Sequence, residues 1–165
     1  MLTSFTAGVI TASDSCYVGN RKDESGNTAV EILRNKGYEI VKYIILPDDL
    51  EQIAGEIVFM SDDLRVDLVI TTGGTGFSKR DITPEATASV VKRPVPGISE
   101  AIRNYSLKIT PRAMLSRGIS GIRNNTLIVN LPGSPKAVKE ALEYIIDSLY
   151  HGLEILSGRA GNCAG

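Results

Sequence analysis

Short apolar runs alternate with longer segments of helical periodicity in the first half of the chain. Residues 5–12, 38–46 and 68–72 are rich in β-branched, aromatic or other apolar side chains, and each run predicts a strand. The last run is largely apolar, which is typical of a parallel strand that is covered on both faces. Two segments with apolar residues at helical spacing separate these strands. The predicted order is therefore strand, helix, strand, helix, strand.

The ends of the two helices are marked by residues that commonly start or stop a helix. The first helix is predicted over residues 25–36 and ends before Gly37, which suits the left-handed conformation of a helix cap. The second follows Pro47, which ends the preceding strand. Its apolar face consists of Leu50, Ile53, Ala54, Ile57 and Val58.

The second half of the chain continues the alternation. A short helix is predicted from Pro84 to Val91 with Thr83 as its N-cap, because proline suits the first helical position. The other elements are a helix around residues 98–105, strands at 118–123 and 126–130 joined by a tight turn at Asn124 and Asn125, and a long helix at 134–156. We therefore expect an α/β fold, a three-layer α/β/α sandwich with a mostly parallel central sheet. One domain over residues 1–157 and a flexible tail over 158–165 are expected.

Ligands of such sheets collect beyond the carboxyl ends of the strands, where connections diverge and helix N-termini point outward. Residues 13–15, 47–49, 73–81 and 131–136 are predicted to emerge there and to share one rim. The third of these segments begins GGTG, and its glycines serve either a tight turn with positive φ angles or a close approach of backbone N–H groups to phosphate. It is neither a P-loop nor a dinucleotide fingerprint, because Ser78 and Lys79 stand where those motifs require glycine.

Asp48 and Asp81 are the candidate functional acids of this rim. Asp48 or Asp49 could simply cap the following helix, and Asp81 could act as an extended cap before Pro84. Because Thr83 fills that cap in the prediction, Asp81 is left to face the rim. Two carboxylates from separate strand ends beside a phosphate loop suit Mg²⁺, which usually takes one or two protein carboxylates plus substrate oxygens and water.

The other polar residues near the rim have ordinary explanations as well as functional ones. Ser134 suits the N-cap of the last helix, and Ser13 and Ser116 lack a candidate base, so they are better ligands than nucleophiles. The single histidine, His151, lies near a helix C-terminus and is more typical of a partner of the helix dipole than of a catalyst. Four cations fall in or beside the predicted loops, although each alone is typical of a surface charge: Lys79, Arg80, Arg117 and Lys136. Lys79, Arg80 and Lys136 are the candidates to hold phosphate charge.

Composition restricts the class of partner. The chain has 18 Lys and Arg against 19 Asp and Glu, so an anion site must be local and neither nucleic acid nor an anionic membrane is expected as a partner. No run approaches the roughly 20 apolar residues of a membrane span. Cys16 and Cys163 are far apart in the sequence and do not form a CxxC pair. This pattern argues against a disulfide scaffold or a zinc site and favours a protein of a reducing compartment. We therefore expect a cytoplasmic protein.

Five motifs occur in order along the chain: TTGGTG, RDITPEAT, PGISEAIR, SLKITPRAMLSR and GIRNNTLIVNLPGSPKAV. In this combination the chain resembles the molybdenum cofactor biosynthesis domain family over residues 10–149. The resemblance implies a compact α/β domain, usually a homotrimer, that transfers AMP from Mg-ATP to the terminal phosphate of molybdopterin and releases pyrophosphate. It also implies a molybdate-inserting enzyme as the acceptor of the product.

The resemblance also assigns residues. Asp48 and Asp81 match the essential acids of the family, and Mg²⁺ is expected to bind to Asp48, to Asp81 or to both. The positions that match substrate-binding motifs are Ser13, Asp14, Thr72, Gly73, Gly74, Thr75, Gly76, Ser78, Glu100, Ser116, Arg117, Pro132, Gly133 and Ser134, and Arg80 and Lys136 join them as phosphate-holding cations. The departures from the family pattern are mild, with Ile82 where valine is common and Ser99 where glycine often precedes the glutamate.

Three alternatives remain at this point. The chain could be a homologue of the same fold that binds the pterin or serves as a scaffold without catalysis, and retention of Asp48 weighs against this. It could be the molybdate-inserting enzyme, whose members carry domains for which 165 residues leave no room. An unrelated nucleotide-binding α/β protein is the third, and the ordered motifs disfavour it.

Overall fold

In the computed structural model, which describes residues 4–161, six strands form a single sheet. They are β1 (Thr6–Ala12), β2 (Glu39–Leu46), β3 (Leu68–Thr72), β4 (Arg93–Pro94), β5 (Ser120–Arg123) and β6 (Thr126–Leu131). Their order across the sheet is β2-β1-β3-β6-β5-β4. The first four in this order run parallel, and β5 and β4 are antiparallel to their neighbours. The predicted mostly parallel sheet is confirmed.

Helices cover both faces of this sheet. They are α1 (Asp14–Tyr17), α2 (Glu24–Asn35), α3 (Leu50–Val58), α4 (Thr83–Val90), α5 (Pro96–Leu107) and α6 (Pro135–Leu156), with a π-helical segment at Phe59–Asp63 and a 3-10 segment at Pro111–Leu115. Alternate residues of β3 point to opposite faces: Leu68 and Ile70 join the core cluster beneath α2, α5 and α6, whereas Val69 joins the cluster beneath α3 and α4. The three-layer α/β/α prediction is therefore confirmed, and its central layer is buried on both sides.

Several local predictions are also confirmed. Gly37 follows α2 with a φ of 88°, and Asn124 makes the turn between β5 and β6 with a φ of 53°. The Ser134 hydroxyl accepts from the N–H of Ala137 at 3.2 Å and caps α6. The open choice between Asp48 and Asp49 is settled, because Asp49 caps α3 by accepting from the N–H of Gln52. Asp48 is therefore not needed as a helix cap.

The assignment of Thr83 as the N-cap of α4 is wrong. Ile82 occupies that position without a side-chain hydrogen bond, and Thr83 lies in the first turn. The Thr83 N–H donates to the carbonyl of Gly74 at 3.1 Å, and the residue is fully buried. Its hydroxyl oxygen has no hydrogen-bond partner among the described residues, so it does not cap the helix. Asp81 is nevertheless not a cap of α4, because its Oδ2 accepts from the N–H of Ser78 within its own loop.

The ends of the chain add little. The single domain over residues 1–157 and the flexible tail over 158–165 both stay predictions. Residues 1–3 and 162–165, which include Cys163, lie outside the described residues. Gly158 and Arg159 still donate backbone hydrogen bonds to the last turn of α6. Within residues 4–161, no helix combines the length and the hydrophobicity needed to cross a membrane.

An ion pair at the end of the sheet opposite the carboxyl ends of the parallel strands yields a first prediction. Arg123 donates from Nη2 and Nε to both carboxylate oxygens of Asp62, at 2.7 and 3.1 Å, and this pairing lowers the pKa of Asp62. The ionised form therefore stabilises the fold at pH values above the ordinary aspartate pKa of about 4, and that stability is lost as the pH falls through the lowered value.

Asp62→Asn is thus expected to lower the thermal unfolding temperature at about pH 7 and to match the wild type at about pH 2. Thermal unfolding of both proteins across this range measures the difference. A difference of equal size at both ends would show that the loss is not electrostatic.

Candidate active site

A cavity of about 590 Å³ opens at the carboxyl ends of the parallel strands. All four segments that were predicted to share this rim contribute to its walls. The lining residues are Thr11, Ala12, Ser13, Arg21, Lys22, Asp23, Glu24, Ser25, Asp48, Thr72, Gly73, Gly74, Asp81, Gly133, Ser134 and Pro135. Asp48 and Asp81 therefore face the same cavity although 33 positions separate them in the sequence.

The glycine-rich loop leaves β3 with two residues in the left-handed region. Gly73 has a φ of 86° and Gly74 a φ of 68°. A Cβ at Gly73 would lie 2.4 Å from the carbonyl oxygen of Ala12, and one at Gly74 would lie 2.2 Å from the Thr83 hydroxyl oxygen. The turn alone thus requires glycine at both positions. Because both also line the cavity, the turn and the phosphate interpretations are compatible.

Asp14 and Asp48 join the loops that follow β1 and β2. The N–H of Asp14 donates to Oδ2 of Asp48 and the N–H of Asp48 donates to Oδ1 of Asp14, both at 3.0 Å. Arg80, from the glycine-rich loop, donates to both oxygens of Asp14 at 2.8 and 2.9 Å. This hydrogen bonding by Arg80 lowers the pKa of Asp14. Three loops are therefore tied together beside the cavity.

The pKa of Asp48 is shifted in the opposite direction to the pKa of Asp14. Oδ1 of Asp48 is buried and has no hydrogen-bond partner among the described residues. Burial raises the pKa of Asp48, and the negative charges of Asp14 and Asp81 raise it further. A buried carboxylate oxygen without a donor, facing a second carboxylate, is the arrangement that a hard cation would stabilise.

The donor set is small enough that a cation would need further ligands. Among residues 4–161, no group of three or more Asp, Glu, His or Cys side chains is arranged to hold a metal. Mg²⁺ commonly binds to one or two protein carboxylates and completes its octahedron with substrate oxygens and water. The residues of this cavity therefore fit Mg²⁺ that arrives with a polyphosphate better than a metal held by protein alone.

Comparison with known proteins decides the family. A sequence profile described as "Probable molybdopterin binding domain" matches residues 8–151. The chain belongs to this molybdopterin-binding domain family.

Relatives within the family are similar over most of the chain. The molybdopterin adenylyltransferase of Helicobacter pylori is 41% identical over 153 residues, which cover 92% of this chain and 87% of that protein. The gephyrin of Dictyostelium discoideum is 39% identical, but the match covers only 22% of its length. A crystal structure of a molybdopterin biosynthesis enzyme from Thermus thermophilus has a TM-score of 0.88 and 41% identity, and covers 93% of this chain and 97% of its own.

The molybdopterin-binding domain gathers only part of the predicted site at the cavity. The predicted residues that line it are Ser13, Asp48, Thr72, Gly73, Gly74, Asp81, Gly133 and Ser134. The predicted residues outside the lining are Asp14, Thr75, Gly76, Ser78, Lys79, Arg80, Glu100, Ser116, Arg117, Pro132 and Lys136. Some of these contact other protein groups: Lys136 lies 3.8 Å from Glu140, one turn further along α6.

Sequence reasoning missed the segment from Arg21 to Ser25, which forms one wall of the cavity. Asp23 is almost fully buried and caps α2 through the N–H of Gly26 at 2.9 Å. Its Oδ2 also accepts from the hydroxyls of Thr11, at 2.6 Å, and Tyr43. An aspartate just before a helical apolar pattern is an N-cap signal, and it would have placed these residues at the rim. The prediction began the helix at Ser25 and placed residues 21–24 in the preceding connection.

Proposed function

We propose that this chain is a molybdopterin adenylyltransferase of molybdenum cofactor biosynthesis, with ATP as co-substrate and Mg²⁺ as cofactor. It would transfer AMP to the terminal phosphate of molybdopterin and release pyrophosphate. The observation that carries the proposal is the shared cavity, which Asp48 and Asp81 line together with Gly73 and Gly74 of the glycine-rich loop. The name of the Helicobacter pylori relative, at 41% identity, supports the same reaction.

The reaction needs positioning and charge stabilisation more than it needs a protein base. An oxygen of the molybdopterin phosphate forms a bond to the α-phosphorus of ATP, and the bond to the bridging oxygen breaks so that its electron pair leaves with pyrophosphate. A phosphate monoester is already anionic at neutral pH, so the attacking atom carries no proton that must be removed. His151, which lies 3.5 Å from Glu154 on α6, is not among the residues that line the cavity.

The side chains of the cavity have separable tasks in this proposal. Asp48 and Asp81 would hold Mg²⁺, which when bound offsets the charge of the triphosphate. Arg21 and Lys22, on the wall formed by the segment before α2, would add positive charge for phosphate oxygens. Gly73 and Gly74 line the cavity, and their amides are the candidates to bind a phosphate oxygen.

Pyrophosphate release by the purified chain tests the proposal. With molybdopterin, ATP and Mg²⁺ we expect pyrophosphate to appear in proportion to adenylylated molybdopterin, and no pyrophosphate when molybdopterin is left out. Binding of molybdopterin without pyrophosphate release would instead identify a non-catalytic binding or scaffold homologue. Absence of both would reject the proposed substrate.

The setting of the enzyme is part of the same proposal. We infer a cytoplasmic homotrimer, with a molybdate-inserting enzyme as the acceptor of its product and neither nucleic acid nor membrane as a partner. Light scattering of the purified protein tests the assembly, because one chain has a mass of 17.7 kDa. A monomer or dimer at working concentration would reject the trimer without affecting the assignment of the reaction.

A further inference from the structure

Arg117 holds the glycine-rich loop from outside the cavity. Its backbone N–H donates to the carbonyl oxygen of Thr75 at 2.9 Å, and its Nε donates to that of Gly76 at 2.8 Å. Its Nη2 donates to the carbonyl oxygen of Asp81, also at 2.8 Å. Three carbonyl groups spread along the loop therefore contact one residue that lies 36 positions beyond Asp81 in the sequence.

Glu85 completes this arrangement. It lies in the first turn of α4, directly after the loop, and its carboxylate pairs with Nη1 of Arg117. This hydrogen bond from Arg117 lowers the pKa of Glu85, so the glutamate stays ionised at neutral pH. The guanidinium thus has a protein partner at each of its three nitrogens.

The guanidinium geometry explains why arginine serves here. Its donors lie in one plane at fixed directions, so the bonds to Gly76 and Asp81 set the distance between the two ends of the loop. A lysine ammonium is a single point charge and cannot reach both carbonyl groups and the glutamate with the same spacing. The contacts constrain the backbone of Asp81, whose side chain lines the cavity.

We propose that Arg117, together with Glu85, is a positioning residue that fixes the carboxylate of Asp81 and the loop amides without touching substrate. The effect on turnover rests on the proposed function, whereas the effect on the loop does not. This role differs from the substrate contact that the family resemblance implies for Arg117. The two roles make opposite predictions for a substitution that keeps the positive charge.

Arg117→Lys and Arg117→Gln separate the two roles. If Arg117 is a positioning residue, both variants lose the paired hydrogen bonds from the guanidinium to the carbonyls of Gly76 and Asp81. Amide hydrogen exchange at residues 76–81 of the ligand-free protein should then speed up by about tenfold or more in each variant. Their kcat for adenylyl transfer should fall together, by a similar factor. If Arg117 binds a phosphate directly, Arg117→Lys keeps most of the activity, only Arg117→Gln raises KM strongly, and exchange in the ligand-free protein stays unchanged.

Two further variants complete the experiment. Glu85→Gln removes the ion pair but leaves the contacts to Gly76 and Asp81, and we expect a smaller change of the same kind, about two- to fivefold in both readouts. Arg123→Lys is the matched control, since Arg123 makes an equally extensive set of contacts with Asp62 and Val90 away from the cavity. It should lower thermal stability and leave loop exchange and kcat unchanged.

Each outcome decides the proposal. If the Arg117 variants do not fold, Glu85→Gln carries the test, and unchanged loop exchange with unchanged kcat in that variant would overturn the positioning role. Faster loop exchange in Arg123→Lys would also overturn it, because general loosening of the fold would then explain the result. If the wild-type chain shows no adenylyl transfer, the proposed function fails, and the exchange measurements still decide whether Arg117 holds the loop.

Discussion

Asp48→Asn and Asp81→Asn are each expected to reduce adenylyl transfer by at least about 100-fold while leaving a folded protein. Both carboxylates line the cavity, and Asp48 has a buried oxygen that accepts no hydrogen bond and to which a cation would bind. Asparagine keeps the shape and can still accept the structural hydrogen bonds, from the N–H of Asp14 at position 48 and from that of Ser78 at position 81. The substitution therefore removes charge and little else.

Asp48→Asn should in addition be at least as stable as the wild type when Mg²⁺ and nucleotide are absent. The raised pKa of Asp48 means that its charged form is disfavoured in the folded state, so the ionised carboxylate costs stability at pH values above its ordinary pKa. This cost disappears as the pH falls below about 4, where Asp48 is neutral in both folded and unfolded chains.

Pyrophosphate release and thermal unfolding at neutral pH, without Mg²⁺ in the unfolding measurement, check both statements on the same preparations. Near-normal turnover in both variants would remove the argument for a metal site at these carboxylates. A strongly destabilised Asp48→Asn protein would show instead that the carboxylate is needed for the fold.

Gly74→Ala is expected to destabilise the protein by about 1–3 kcal/mol and to reduce adenylyl transfer by about tenfold or more. The alanine would have to adopt the left-handed backbone conformation of Gly74. Its methyl group would lie 2.2 Å from the Thr83 hydroxyl oxygen and 3.3 Å from Oδ1 of Asp48. Relief of these contacts must move either the loop or the proposed metal ligand. Stability and activity should therefore fall together.

Gly55→Ala is the matched control for this substitution. Gly55 lies in α3, and a Cβ there meets no atom within 4 Å. Because glycine in a helix is less favourable than alanine, the control should gain up to about 1 kcal/mol and keep full activity. Urea unfolding and pyrophosphate release measure both variants, and a Gly74→Ala protein as stable and active as the control would contradict the steric argument.

The long elements of the fold were predictable because each carries a periodic apolar face or a clear boundary residue. The capping of α6 by Ser134 is an example, since it depends on contacts within four residues. Thr83 failed as a cap for the opposite reason, because it lies one residue inside α4 with its N–H bonded to the carbonyl of Gly74, nine positions earlier at the start of the same loop, a contact that no local pattern shows. The strand β4, with only two residues, is too short to show any period.

The candidate site also has a part that could be predicted from the sequence and a part that could not. The topology of a parallel sheet places the loops after β1, β2, β3 and β6 at one edge, and from this Asp48, Asp81 and the glycine-rich loop could be assigned to one rim. Arg80 and Arg117 were also assigned to it as cations, but their charges are held by Asp14 and by Glu85. Which direction a long side chain takes depends on partners that are distant in sequence.

The amino-acid sequence alone determined the layer architecture, the strand ends at which polar residues gather, and the family to which the motifs point. These properties follow from local periodicity and from the handedness and direction of the chain, which act over a few residues at a time. Only the tertiary structure decided that Oδ2 of Asp23 accepts from the hydroxyls of Thr11 and Tyr43, that Asp48 keeps an oxygen without a donor, and that Arg117 holds the loop from outside. Each of these depends on how segments that are far apart in the sequence pack against one another in the folded chain.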